Sequence, residues 1–250
     1  MKKSFASVVI ENPKPIYVLT DYTVFIYGVP KIGKTTIACS WPDPIVLATE
    51  VRGAKAIQVP RIKIRSWEDF KNAIDLLKKK EQRARFKTAI IDTADLAYKY
   101  AFDWTCKHYG FDHPSDQGWG KGWERITDTF LETILELFDL GYCIVFTSHC
   151  KTSQVMADWE EYTRIDPTLP NPARKVLLPL VDVIFYMRAK TTKKGVPIRT
   201  ITTKATREYE AGDRTGCITD LEIRIPAAEK NKAYVLVNSI FTENALKKGD

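Results

Sequence analysis

The chain has 250 residues, 44% of them hydrophobic and 28% charged, which excludes a disordered tail protein, a collagen-like chain and a coiled coil. Lys plus Arg number 38 against 31 Asp plus Glu, a formal net charge of +7; the excess favours an anionic partner such as nucleotide or nucleic acid without requiring one. Five cysteines with no C-x-x-C pair point to a reducing compartment, and with no apolar run near the roughly 20 residues of a membrane span and no signal-peptide core, a cytoplasmic chain with no membrane partner is expected.

In chain order, Tyr22 to Tyr27 (YTVFIY) is a β-branched and aromatic run that predicts a buried strand. It leads into Gly28-Val29-Pro30-Lys31-Ile32-Gly33-Lys34-Thr35-Thr36, and a short helix is expected from Lys34 to about Ser40, ended by Pro42 and Pro44. Ile45 to Thr49 predicts a second buried strand, stopping at Glu50, and Arg61 to Arg65 a third. Ser66 with Asp69 is a capping-box variant, and Phe70, Ile74 and Leu77 follow at helical spacing. Lys87 to Asp92 reads as a strand, followed by a long helix to about His108. His108 to Gly122 is glycine-rich and predicts a loop, and Thr127 to Leu140 an amphipathic helix. Tyr142 to Thr147 is another buried strand, ending in Ser148-His149. Lys151 to Arg174 is polar, contains Pro167, Pro170 and Pro172, and is read as a long loop. Val181 to Thr191 and Val196 to Thr206 predict a hairpin turning at Lys193-Lys194-Gly195. Strands alternating with helices imply an α/β fold, with a mainly parallel central sheet, helices on both faces and an antiparallel hairpin at one edge. No Gly/Ser-rich linker divides the chain, so a single domain is expected, its core about 22–216, with extensions at 1–21 and 217–250.

Gly28-x-x-x-x-Gly33-Lys34-Thr35 fits the P-loop pattern in full. Glycines let such a backbone curl so that its N–H groups meet phosphate oxygens. Lys34 would supply a charge to the β and γ phosphates, and the Thr35 hydroxyl a ligand to Mg²⁺. Residues 28 to 36 are therefore the expected nucleotide site. Ala89-Ile90-Ile91-Asp92 is a hydrophobic strand ending in an acid, the Walker B arrangement, and Asp92 would hold Mg²⁺ directly or through water. Asp95 is expected to cap the next helix. Cys106, His108 and His113 lack the second half of a zinc site, and no G-x-S-x-G marks a nucleophile elbow.

Three further features choose among P-loop NTPases. Glu50 closes IVLATE, on a strand expected beside the P-loop strand, His149 closes YCIVFTSH, and Lys204 and Arg207 follow a late hairpin strand. With YGVPKIGKTT, TAIIDTAD, GWGKGWERI and AGDRTG, this order resembles the RecA-like ATPase core and, more closely, the small phage nucleotide-binding ATPases of the AAA type, which are associated with recombination and single-strand annealing. The resemblance covers roughly Val24 to Gly216. It implies a RecA-like fold using ATP and Mg²⁺. It also implies that Glu50 polarises the attacking water and that His149 senses the γ-phosphate. Lys204, Arg207 and Arg214 then compete for a role across a subunit boundary in a ring or short filament. At Glu50 and His149 the plain alternatives are a solvated strand end and a capping histidine.

RecA-like cores line a DNA channel with two loops, which here correspond to His108–Gly122 and Lys151–Arg174. Trp119, Lys121, Trp123 and Lys151 are the candidate contacts to single-stranded DNA, by base stacking and phosphate pairing; alternatively, both tryptophans pack their loop onto the core. Arg188 to Arg207, with seven basic residues and no acid, could add a positive face, whereas the second loop is nearly neutral. The resulting expectation is a Mg²⁺-dependent ATPase acting on single-stranded DNA in phage recombination, annealing or replication. It would be located in the cytoplasm of a bacterial host, with a phage single-strand-binding or replication protein as a possible partner. The alternatives are an accessory factor resembling a helicase loader, whose main partner is protein, and a nucleotide-binding switch.

Overall fold

The computed structural model describes residues 18–50, 57–157, 159–191, 195, 197–226 and 231–249. The two most continuous apolar runs lie in the interior of the sheet. β1 (Val24–Gly28) and β4 (Thr88–Asp92) are buried at every position, as strands covered on both faces must be. Around them stand β2 (Pro44–Ala48), β3 (Arg61–Lys63), β5 (Cys143–Ala157), β6 (Glu160–Pro167), β7 (Val183–Thr191), β8 (Pro197–Thr202), β9 (Gly212–Asp213) and β10 (Glu222–Ile225). The order across the sheet is β10-β8-β7-β1-β5-β4-β2-β3. From β7 to β3 all neighbours are parallel. β8 and β9 pair antiparallel with β7, and β10 antiparallel with β8. The mixed architecture and its edge hairpin match the expectation from sequence.

Alternate residues of one strand feed two different layers, as the two-residue period of a strand dictates. Phe25 and Tyr27 face a layer containing Trp67 and Phe70 of α2 (Trp67–Leu77), Tyr98 of α4 (Ala94–Tyr109) and Phe130 of α5 (Lys121–Phe138). Val24 and Ile26 face Ile37 of α1 (Lys34–Ala38) and Val237 and Phe241 of α7 (Ala233–Gly249). α3 (Lys80–Arg85) buries no residue. Ser66 caps α2 by accepting from Asp69 N at 3.0 Å, and Arg65 N returns a bond to the Asp69 carboxylate at 2.8 Å.

Several expectations need correction. Residues 151–174 are not a loop. β5 continues through Lys151 to Ala157, turns, and pairs antiparallel with β6, after which α6 (Asn171–Leu177) follows. α5 begins at Lys121, so the glycine-rich connection is shorter than expected and contains a 3-10 turn at Pro114–Gln117. Sheet and core continue beyond Gly216, through β10 and the buried Val237, Phe241 and Ala245 of α7. Of the β7–β8 turn, Lys193 and Lys194 lie outside the described residues. Among the described residues no helix is long and apolar enough to cross a membrane.

Candidate nucleotide site

The parallel strands end at one edge of the sheet, and the polar residues that follow them meet there, where open α/β sheets bind ligands. β1 gives way at Gly28 to the P-loop. A β-carbon on Gly28 would stand 2.3 Å from the Met187 carbonyl oxygen of β7, so only glycine fits against that strand. Gly33, at φ 108°, turns the chain into α1 in a conformation that suits glycine. Ile32 is buried beneath the loop, while Val29 is 47% exposed on its rim.

Lys34 is folded back on this loop. Its ammonium donates to Gly28 O at 2.9 Å and Val29 O at 3.0 Å, and lies 3.2 Å from His149 Nδ1. An ammonium only donates, so Nδ1 accepts and the imidazole proton is assigned to Nε2. That nitrogen stands 2.8 Å from Glu50 Oε1. Lys34, His149 and Glu50 thus form one hydrogen-bonded chain. Burial pushes the Lys34 ammonium below the ordinary lysine range, against the pull of Asp92, Cys150 and Glu50. The bond from His149 holds the Glu50 carboxyl below its ordinary range despite partial burial.

Strand order explains the chain. β5 lies between β1 and β4, so His149, partner of Gly28 in the register, stands between the P-loop and the acids. The Glu50 strand is not beside the P-loop strand, contrary to expectation. β5 and β4 separate the two, and Glu50 reaches His149 from beyond them. Thr49 holds the end of β2 in place: its hydroxyl accepts from Thr93 N at 2.6 Å and donates to Thr93 O at 3.0 Å, and the Thr49 and Glu50 amides both donate to Asp92 O.

Asp92 is 2% exposed. Its carboxylate accepts from Thr147 Oγ1 at 2.6 Å and from Thr35 Oγ1 at 3.1 Å. Burial pushes its carboxyl upward, opposed by these hydroxyls. A hydroxyl and a carboxylate side by side are hard oxygen donors suited to Mg²⁺, which accepts few protein ligands and completes its octahedron with phosphate oxygens and water. Thr35 and Asp92 therefore fit that ion.

Asp95 does not cap α4. Its carboxylate instead accepts from Ser148 Oγ at 2.9 Å, Thr168 Oγ1 at 2.6 Å and His149 N at 3.3 Å. It ties the end of the core part of β5 to the end of β6 and fixes the backbone that carries His149. An acid near the start of the helix after Walker B was the available signal, and helix capping was the simpler reading of it.

The other candidates lie apart from this chain. Arg214 donates to Pro179 O and Val181 O and pairs with Asp182 at 3.4 Å. The Asp182 carboxylate accepts from Thr23 N, so Arg214 belongs to the opposite edge of the sheet. Arg207 pairs with Glu160 at 2.9 Å and lies over Tyr162. Of the three residues competing for a role across a subunit boundary, only Lys204 makes no ion pair with a described residue. Trp119 is 100% exposed, whereas Trp123 packs on Phe102 and His113 at ring distances of 5.9 and 5.8 Å. Lys121 and Trp123 stand on the first turn of α5 rather than on the loop. Lys151 is exposed on β5 opposite Asp166. Sequence reasoning missed Trp159, 99% exposed at the β5–β6 tip beside the exposed Met156. Arg188 and Lys190 share the single carboxylate of Glu222, which offsets one of their two charges.

A protein-family model described as an AAA domain matches residues 20–215. The SPbeta prophage-derived uncharacterized protein YorG of Bacillus subtilis (strain 168) is 27% identical over 176 residues, which are 68% of this chain and 51% of that protein. The chain thus spans about half the length of that curated relative.

Proposed function

The chain belongs to the AAA domain family, and from that premise we propose that it is a Mg²⁺-dependent ATPase that acts on single-stranded DNA. The observation that carries the ATPase reading is the chain Lys34–His149–Glu50 beside the Thr35–Asp92 pair. A P-loop lysine, a metal-ligand pair and a carboxylate near a γ-phosphate are the parts that phosphoryl transfer to water requires. Lys34 leaves its loop carbonyls for the β and γ phosphates. His149, released from Lys34, turns a nitrogen to the γ-phosphate. Glu50 accepts a proton from the attacking water, as a carboxylate that is ionised near neutral pH can. Mg²⁺, held by Thr35 and Asp92, would neutralise phosphate charge. Turnover of Mg²⁺-ATP by the full chain, lost in Glu50→Gln, tests this reading.

The DNA part rests on Trp119 and Trp159, exposed aromatics of the kind that stack on bases. The relative's prophage origin supports a phage setting in a bacterial cytoplasm. Self-assembly into a ring or filament, with Lys204 acting across the boundary, belongs to the same reading. A second reading is an accessory factor resembling a helicase loader, with protein as its main partner. It is favoured by the internal pairing of Arg188, Lys190 and Arg207, which removes much of the positive face that DNA would use. Stimulation of turnover by single-stranded DNA supports the first; indifference to it supports the second.

A further inference from the structure

β1 has a neighbour on each side, β5 and β7. Glu50, Asp92 and His149 all reach the P-loop from the β5 side. On the other flank, Gly28 pairs with Met187 of β7, and Arg199 of β8 pairs with Ala189, two residues further toward the P-loop edge. Arg199 shares a sheet face with Ile201, which is buried in the same layer as Ile37 of α1 and Met187. Its side chain therefore rises beside the P-loop. A β-carbon on Gly33 would stand 3.6 Å from Arg199 Nε and 3.9 Å from its Cδ.

Arg199 is half-buried, and among the described residues no carboxylate lies within ion-pair distance of its guanidinium. The other described arginines of this basic stretch are paired, Arg188 with Glu222 and Arg207 with Glu160. A half-buried cation without a counter-charge is costly, and a guanidinium presents a planar fork of N–H donors matched to phosphate oxygens. The geometry points to Arg199 as a nucleotide-binding residue that donates to a phosphate oxygen from the β7–β8 flank, opposite the Glu50–His149 flank. This rests on the ATP reading above. Because the groups assigned to hydrolysis lie on the other flank, Arg199 holds ADP and ATP alike, which is uniform binding rather than transition-state stabilisation.

The test is equilibrium titration of the full chain with fluorescent mant-ADP, with displacement by ATP and by inorganic tripolyphosphate. Arg199→Ala weakens all three ligands by about ten- to a hundredfold and leaves the ADP-to-ATP affinity ratio unchanged. Arg199→Gln removes the charge while keeping most of the side chain's bulk, and gives the same loss should the alanine variant not fold. Affinities equal to wild type in a variant with unchanged thermal unfolding overturn the assignment. A loss for mant-ADP but not for tripolyphosphate overturns the phosphate contact. Wild type that binds none of the three overturns the ATP reading and this assignment together, whereas wild-type binding with an indifferent Arg199 removes this assignment alone.

Discussion

The rim of the P-loop and the tip of the β5–β6 hairpin are joined by one strand, yet their side chains are satisfied in opposite ways. At the rim, Lys34, Asp92, Thr147 and Ser148 are buried, and each has a protein partner. At the tip, Trp159 is 99% exposed, and Trp119 on the glycine-rich connection is 100% exposed; both have positive φ, 66° and 49°. A network closed by its own chain is satisfied before a ligand arrives, and a ligand must exchange some of its bonds. An indole held in water is an unfavourable use of a large apolar surface that a partner would relieve. The two sets of side chains share no residue, so variants can test the proposed nucleotide chemistry and the proposed DNA contact each alone.

The largest effect is expected at the rim. Lys34→Ala removes the main cation facing the γ-phosphate and should reduce Mg²⁺-ATP turnover to background in a phosphate-release assay. Glu50→Gln keeps the shape but cannot accept a proton, so nucleotide binding is retained while turnover falls by about 10²- to 10⁴-fold. If either variant turns over at the parent rate, the rim is not the catalytic centre. At the other region, Trp119→Ala or Trp159→Ala should weaken oligonucleotide binding by about five- to a hundredfold with ATP turnover in the absence of DNA unchanged. Fluorescence anisotropy with labelled single strands checks this, and equal binding by the double variant would shift the reading to a protein partner. Asp95→Ala leaves Thr168 Oγ1 and the His149 amide without this acceptor, while Ser148 Oγ keeps the His149 carbonyl at 3.0 Å. It should cost about 1–3 kcal/mol, seen as a Tm lower by roughly 2–4 °C per kcal/mol, together with reduced turnover because His149 loses its support. The smallest effect is in acid. The folded pKa of Glu50 is depressed, so its contribution is present above the ordinary value of 4.5 and is lost as pH falls below it. Thermal unfolding should therefore decline less steeply below pH 4.5 in Glu50→Gln than in wild type.

The two regions also differed in how much the sequence disclosed. Residues 28–36 were legible because phosphate binding fixes both residue types and spacing, and Asp92 because a strand of this type ends there. The contact between Glu50 and His149 spans 99 positions and depends on β5 lying between β1 and β4, which no local pattern specifies. The hairpin was misread because residues 151–154 are exposed on both faces, so the alternation that marks a half-buried strand is missing, and three prolines nearby suggested a loop. Lys121 and Trp123 were assigned to a loop because Gly118, Gly120 and Gly122 outweighed the helical spacing that follows. In the structure Gly122 is instead a packing requirement, since a β-carbon there would stand 2.3 Å from the Pro114 carbonyl oxygen.

β5 runs without interruption from Cys143 to Ala157. Its first half is gripped between β1 and β4, its second half pairs among the described strands with β6 alone, and His149 lies at the transition. The eight residue steps from His149 to Ala157 extend roughly 27 Å. Such a beam, clamped at its root, magnifies what happens there: a tilt of about 5° at the clamp carries the far end roughly 2 Å. The tip is tethered on its other side, where Arg207 pairs with Glu160 and lies over Tyr162, so a spectroscopic label beside Trp159, read with and without nucleotide, would measure how much of such a tilt that tether lets through.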